Sequence, residues 1–229
     1  LVIGADLSVP GSAKYCVDVM KDHWRVLNAL VNNAGVQGPI GPFCDIDSDA
    51  WSEAFKTLLF APLDMCRMAI PWMASAGGGD IVNLSGGGAA GPRENFTAYS
   101  AAKTALVRTT ENLAVEYARC GVSVNAVAPG IMPTGLLREV LDAGPDLAGA
   151  KDYEAAEKAF ENGAGAEARA AECVYALCDQ TPPKITGKLI SAVWDPWRDL
   201  ARYAGELASS DVYTLRRVTP ESRGKKAGY

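Results

Sequence analysis

The sequence predicts an α/β fold built on a parallel sheet, and two observations predict it. Short β-branched runs alternate with longer helical patterns along the 229 residues, which is the rhythm of β-α-β units. The residues best suited to chemistry, Asp6, Asn32 to Gly35, Ser85 and Pro129-Gly130, each follow a run that reads as a strand. In open parallel sheets ligands lie beyond the carboxyl ends of the strands, so the fold would gather these residues at one edge. The length suits one core, and there is no internal repeat or dividing linker, so residues 1–229 are expected to form a single domain.

Taken in order, Val2–Asp6 reads as a first strand, opening the chain without a signal-peptide pattern. Pro10, after Ser8, suits the first turn of a helix running to about Trp24. Leu27–Val31 is the next strand, followed by a Gly/Pro-rich connection through Val36–Phe43. Asp47, Ser48 and Asp49 offer N-caps to a long helix carrying Trp51, Phe55, Leu58, Leu59 and Met65 inward. Pro62 should kink or divide that helix, and Gly77-Gly78-Gly79 should end it. Asp80–Leu84 reads as a fully buried strand, then a helix spans about Thr97 to Arg119, then a strand Val122–Val127. A partly helical insertion at 133–165, a helix over about 166–179, a strand Lys188–Val193 and a short helix near 196–208 complete the domain. Residues 211–229 read as a frayed, solvated tail.

Composition excludes several functions. The 22 Lys and Arg against 27 Asp and Glu give a net charge of −5, which opposes a nucleic-acid footprint. No apolar run is long enough to span a bilayer. Six cysteines without a CxxC pair, and one histidine, support reduced thiols in a cytoplasmic protein rather than a zinc site. His23 precedes the only Ser-Gly turn, at Ser85, by 62 residues. A nucleophile-elbow hydrolase needs its histidine after the serine.

The sharper signal is Tyr99-Ser100-Ala101-Ala102-Lys103. The i, i+4 spacing puts phenol and ammonium on one helix face. A cation beside a phenol favours phenolate and lowers its pKa, and a phenol so tuned can donate a proton to an alkoxide or take one from an alcohol. An amphipathic helix with a half-buried tyrosine and a surface lysine would carry the same pattern.

Combined with Asn32-Asn33-Ala34-Gly35, Ile81-Val82-Asn83-Leu84-Ser85 and Val124-Asn125-Ala126-Val127-Ala128-Pro129-Gly130, this pair resembles the short-chain dehydrogenase/reductase family over about residues 1–193. The resemblance implies a doubly wound, Rossmann-like sheet with helices on both faces. It also implies hydride transfer between NAD or NADP and a small-molecule alcohol or carbonyl. By that likeness Tyr99 is the proton donor and acceptor, Lys103 tunes it and holds the nicotinamide ribose, and Ser85 steadies the substrate oxygen. Asp6 and Leu7 would contact adenine, and Asn33, Ala34 and Gly35 would line the adenine ribose. Pro129, Gly130, Ile131 and Thr134 would grip the nicotinamide carboxamide.

Three departures from the family pattern stand out. The TGxxxGxG phosphate loop is missing, with the first β-α-β unit that carries it. The expectation is therefore an N-terminally truncated copy whose first strand here would end the family's third strand. That arrangement leaves a two-strand gap of about 14 Å, and the chain should bind NAD(H) or NADP(H) weakly or not at all. The family's serine, 13 residues before the tyrosine, is Gly86, and its helix asparagine is Leu58. These departures favour the alternative of a non-catalytic binding or scaffold relative. Segment 134–167 should cover the substrate; its local charge of −5 argues against polyanions, and Ile131, Met132, Leu136, Leu137 and Leu141 predict a partly apolar wall. Trp194 and Trp197 read as core or interface. A homodimer or homotetramer pairing through helices near 49–75 and 97–119 is implied by the resemblance.

Overall fold

The computed structural model describes residues 1–224. Four parallel strands, β1 (Ala29–Asn32), β2 (Gly79–Leu84), β3 (Val122–Ala128) and β4 (Leu189–Ser191), lie in that order in one sheet. Registers pair Asn32 with Asn83, Leu84 with Val127, and Val127 with Ile190. β2 is buried along its whole length, as an interior strand covered on both faces must be. Alternation sends Ile81 and Val124 into one core with helices α1 (Ser12–His23) and α3 (Ala61–Ser75). Val82, Leu84 and Val127 enter the opposite core beneath α7 (Ala166–Cys178). Helices thus cover both faces, and the α/β, doubly wound architecture is present.

The long helix before β2 is three pieces. Asp47 caps α2 (Ser48–Phe55), accepting from the backbone N–H groups of Asp49 and Ala50. A π-helical turn at Lys56–Phe60 follows, and α3 begins with Pro62 in its first turn. Proline has no N–H to continue the ladder, so the division falls immediately before it. Helix α4 (Thr97–Tyr117) runs from the end of β2's loop to β3. The expected insertion is a pair of helices, α5 (Gly135–Ala148), kinked at Gly144-Pro145, and α6 (Ala150–Asn162). α8 (Ala204–Ala208) is shorter than the sequence predicted, because Leu200–Tyr203 forms a tighter turn.

Two expectations are corrected. Val2–Asp6 is not a strand. Val2 is 97% exposed, while Ile3 and Leu7 pack on the α1–α3 core. A β-branched run becomes a strand only where a neighbour pairs with it, and the sheet ends at β1; the anticipated gap therefore does not arise. The tail is not uniformly solvated either. Leu189 donates its N–H to the Tyr213 carbonyl at 2.7 Å, and Lys188 donates to the carbonyls of Ser210 and Val212. Leu215 donates to Glu111 of α4, which also pairs with Arg216 and Arg108. These ties replace water for a strand edge and a buried carboxylate, which fraying would leave unpaired. The remaining tail bases include Lys225 and Lys226, which lie outside the described residues.

Candidate active site

β2 ends at Leu84, and the chain then turns through Ser85-Gly86-Gly87 into α4. Tyr99 and Lys103, one turn apart on α4, are both buried. The Lys103 ammonium lies 5.8 Å from the centre of the Tyr99 ring and donates to the Leu84 carbonyl at 2.7 Å. A buried ammonium without a facing carboxylate is costly, and desolvation pulls Lys103 down to about 8. Burial also pushes the Tyr99 phenol above its ordinary value, with the Arg93 guanidinium opposing that rise. The expected lowering of Tyr99 by Lys103 is therefore not what the fold produces. Desolvation outweighs the Arg93 guanidinium, and burial drives the two groups apart, the phenol upward and the ammonium downward.

Gly86 has a steric reason to be glycine. A Cβ there would come within 2.2 Å of the Tyr99 hydroxyl oxygen, so the phenol occupies the space a serine side chain would need. Ser85, one residue earlier, is buried with its hydroxyl unpartnered. Leu58, fully buried in the π-helical turn, stands where the family pattern has its asparagine, and packs beside Gly35.

Flanking this centre are the ends of β1 and β3. Asn33, Ala34 and Gly35 are exposed, as are Gly130 and Ile131, with Pro129 and Thr134 half-buried. Gly130 has φ +90° and approaches Val193 so closely that a Cβ would lie 2.5 Å from its side chain; only glycine combines that backbone with that approach. Asp6 and Leu7 are elsewhere engaged. Asp6 accepts from the Ser8 N–H and hydroxyl, which hold its carboxyl below the usual range, and Leu7 packs into the α1–α3 core.

Helices α5 and α6 lie over the site. Leu136, Leu137 and Leu141 join the apolar cluster that contains Tyr99, whereas Ile131 is exposed and Met132 packs on the other core. Three polar ties fasten this cover: Glu139 accepts from the Gln37 N–H at 3.0 Å, Asn95 donates to the Leu147 carbonyl at 2.8 Å, and Arg93 pairs with Asp152 at 2.7 Å. Arg93 also lies 3.5 Å over the Phe96 ring and 5.8 Å from that of Tyr99. Arg93 and the buried Gln37 were not among the sequence candidates. The Gly/Pro-rich setting of Gln37 reads as turn chemistry, and Arg93 has no spacing signature; both owe their place to tertiary packing.

The residues present fit an NAD(P) cofactor at one end. The buried Lys103 ammonium and the Gly130 turn suit a ribose and carboxamide, and the unpartnered Ser85 hydroxyl is left for a substrate oxygen. A glycine-rich loop aimed at a pyrophosphate is not among the described residues. No helix among them is long and apolar enough to cross a membrane.

A family model described as short chain dehydrogenase matches residues 1–144. The human dehydrogenase/reductase SDR family member 4 is 34% identical over 112 residues, covering 49% of this chain and 40% of that protein. The cis-4-hydroxycyclohexanecarboxylate dehydrogenase of Sinomonas cyclohexanicum is 34% identical over 137 residues, covering 60% of this chain and 55% of its own. The chain thus spans about half the length of these relatives. Among solved structures, one assigned as an NAD(P)-dependent gluconate 5-dehydrogenase from Beutenbergia cavernae, with NADP bound at low occupancy, superimposes with a TM-score of 0.68 at 28% identity. That match covers 83% of this chain and 74% of the other.

Proposed function

Because the chain belongs to the short-chain dehydrogenase family, we propose that it carries the proton-transfer centre of an NAD(P)-dependent oxidoreductase acting on a neutral alcohol or its carbonyl. The observation that carries this reading is the Tyr99 phenol over Gly86, one helix turn from a buried Lys103 at the carboxyl ends of β2 and β3.

When bound, the nicotinamide supplies or accepts the hydride. Tyr99 gives its proton to the forming alkoxide, or takes one from the alcohol. Lys103, lowered by burial to about 8, is placed to pass a proton to or from this centre in the working pH range. Ser85 offers its free hydroxyl to the substrate oxygen. Leu136, Leu137 and Leu141 exclude water above the ring. Lys103, Pro129, Gly130, Ile131 and Thr134 are assigned to the nicotinamide half of the cofactor, and Asn33, Ala34 and Gly35 to the adenosine half. Asp6 and Leu7 belong to the adenine contact by resemblance alone, since both are engaged locally. The NADP in the Beutenbergia structure supports the cofactor, and the hydroxyl in the substrate name of the Sinomonas enzyme supports alcohol chemistry, although that substrate is a carboxylate and lies outside the neutral class.

A second reading, a non-catalytic binding relative, is favoured by the buried Leu58 in place of the family's asparagine. Assays with small neutral alcohols at millimolar NAD or NADP separate the two: formation of reduced nicotinamide supports the enzyme, and none with any alcohol supports the binding relative. The six free cysteines support a cytoplasmic location as part of this reading. A homodimer or homotetramer is supported by exposed Phe60, just before α3, and exposed Val115 on α4.

A further inference from the structure

Gln37 is 1% exposed, and neither its amide nitrogen nor its amide oxygen has a partner. Buried side-chain amides are nearly always hydrogen-bonded, because water's bonds are lost on burial and must be replaced. Orphaning both ends of one amide opposes folding, so the position asks for an occupant. Its surroundings place it beside the catalytic helix. Val36 and Ile40, on either side of it, pack on the cluster that holds Tyr99. A Cβ on the adjoining Gly38 would meet Ala54 at 2.9 Å and Ala98, next to Tyr99, at 3.9 Å. At the end of the neighbouring strand the Ser85 hydroxyl is also buried without a partner. Two orphaned polar groups thus follow two adjacent strand ends; α5 reaches Gly35 through Leu136 and Gln37 through Glu139, and Leu136 shares the apolar cluster of Tyr99, whose hydroxyl lies against Gly86, the residue after Ser85.

We propose that the Gln37 side-chain amide is a specificity-determining group that binds a second hydroxyl of a neutral substrate, remote from the carbon at which Ser85 and Tyr99 act. An amide offers both a donor and an acceptor, which suits a hydroxyl that also does both. The Glu139 carboxylate against the Gln37 backbone repels an anionic group there, so the favoured substrate carries hydroxyls and no carboxylate or phosphate. This inference rests on the oxidoreductase reading for the placement of the reacting carbon.

The test uses three probes, cyclohexanol, 1,4-cyclohexanediol and 4-hydroxycyclohexanecarboxylate, with affinities read by saturation-transfer NMR on the full chain. The expected order is diol, then cyclohexanol, then the acid, with about a tenfold advantage for the diol over cyclohexanol. Gln37→Leu and Gln37→Met should abolish that advantage while cyclohexanol affinity and Tm are retained, since no bond of the fold is lost. Absence of a diol preference in the wild type, or its survival in both variants, would overturn the proposal. A Gln37-dependent diol preference without any reduced nicotinamide would defeat the redox reading and leave this one standing; turnover of all three probes without Gln37 dependence would do the reverse.

Discussion

The end of β2 and the flank beyond β1 sit side by side in one sheet, yet they are built differently. Around β2 every layer is closed: the strand is buried throughout, Asn83 accepts from Asn32 and donates to Thr110 of α4, and Lys103 is fixed on the Leu84 carbonyl. Beyond β1 the sheet stops, Val31 is 42% exposed, and Asn33 to Gly35 face solvent. The difference teaches that the half of the proposed site that would handle the proton is held by the core, while Asn33 to Gly35, proposed for the adenosine half of the cofactor, rest on a sheet edge. Proton transfer tolerates little misplacement, so the rigid half is where single substitutions should cost most.

Three measurements sharpen or break that contrast. The largest effect belongs to Tyr99→Phe, which keeps the ring and removes the proton: turnover should fall about 1000-fold with Tm nearly unchanged, whereas Asn33→Ala should cost less than about tenfold. Comparable losses in steady-state assays would erase the distinction between the halves. Next is stability. Ile81→Ala should cost about 2–5 kcal/mol in urea denaturation, because Ile81 is fully buried in β2. Val31→Ala on the β1 edge should stay within about 0.5 kcal/mol.

The smallest effect is in pH. Lys103 is lowered by burial from 10.5 to about 8, so the folded state releases a proton that the unfolded chain keeps until about 10.5. Stability from this group therefore rises between these values as pH increases. The stability of the wild type relative to Lys103→Met should rise with pH over that window, and no change in it would place the lysine in contact with water.

Much of this was legible in the sequence, for identifiable reasons. β2 and β3 were readable because strands buried on both faces need unbroken apolar runs, and the Asp47 cap and the division at Pro62 follow from local backbone chemistry. Tyr99 and Lys103 share a helix face through spacing alone. Val2–Asp6 misled because strand formation depends on a partner that lies elsewhere in the chain or not at all. The electrostatics misled too, since spacing predicts proximity of charges but not the burial that reversed the shift on Tyr99. Gln37, Arg93 and the clasp of Leu215 and Arg216 on Glu111 are long-range contacts, invisible until α4, α5 and the tail are folded together.

The most direct measurement of the redox assignment is isotopic. A carbonyl probe such as 4-hydroxycyclohexanone is incubated with the wild-type chain and nicotinamide cofactor, NADH or NADPH, deuterated at C4, and the alcohol is analysed by mass spectrometry and NMR. Deuterium at the carbinol carbon from one face of the nicotinamide, lost in Tyr99→Phe, is the predicted result. Alcohol without deuterium, or equal transfer by the phenylalanine variant, would contradict it.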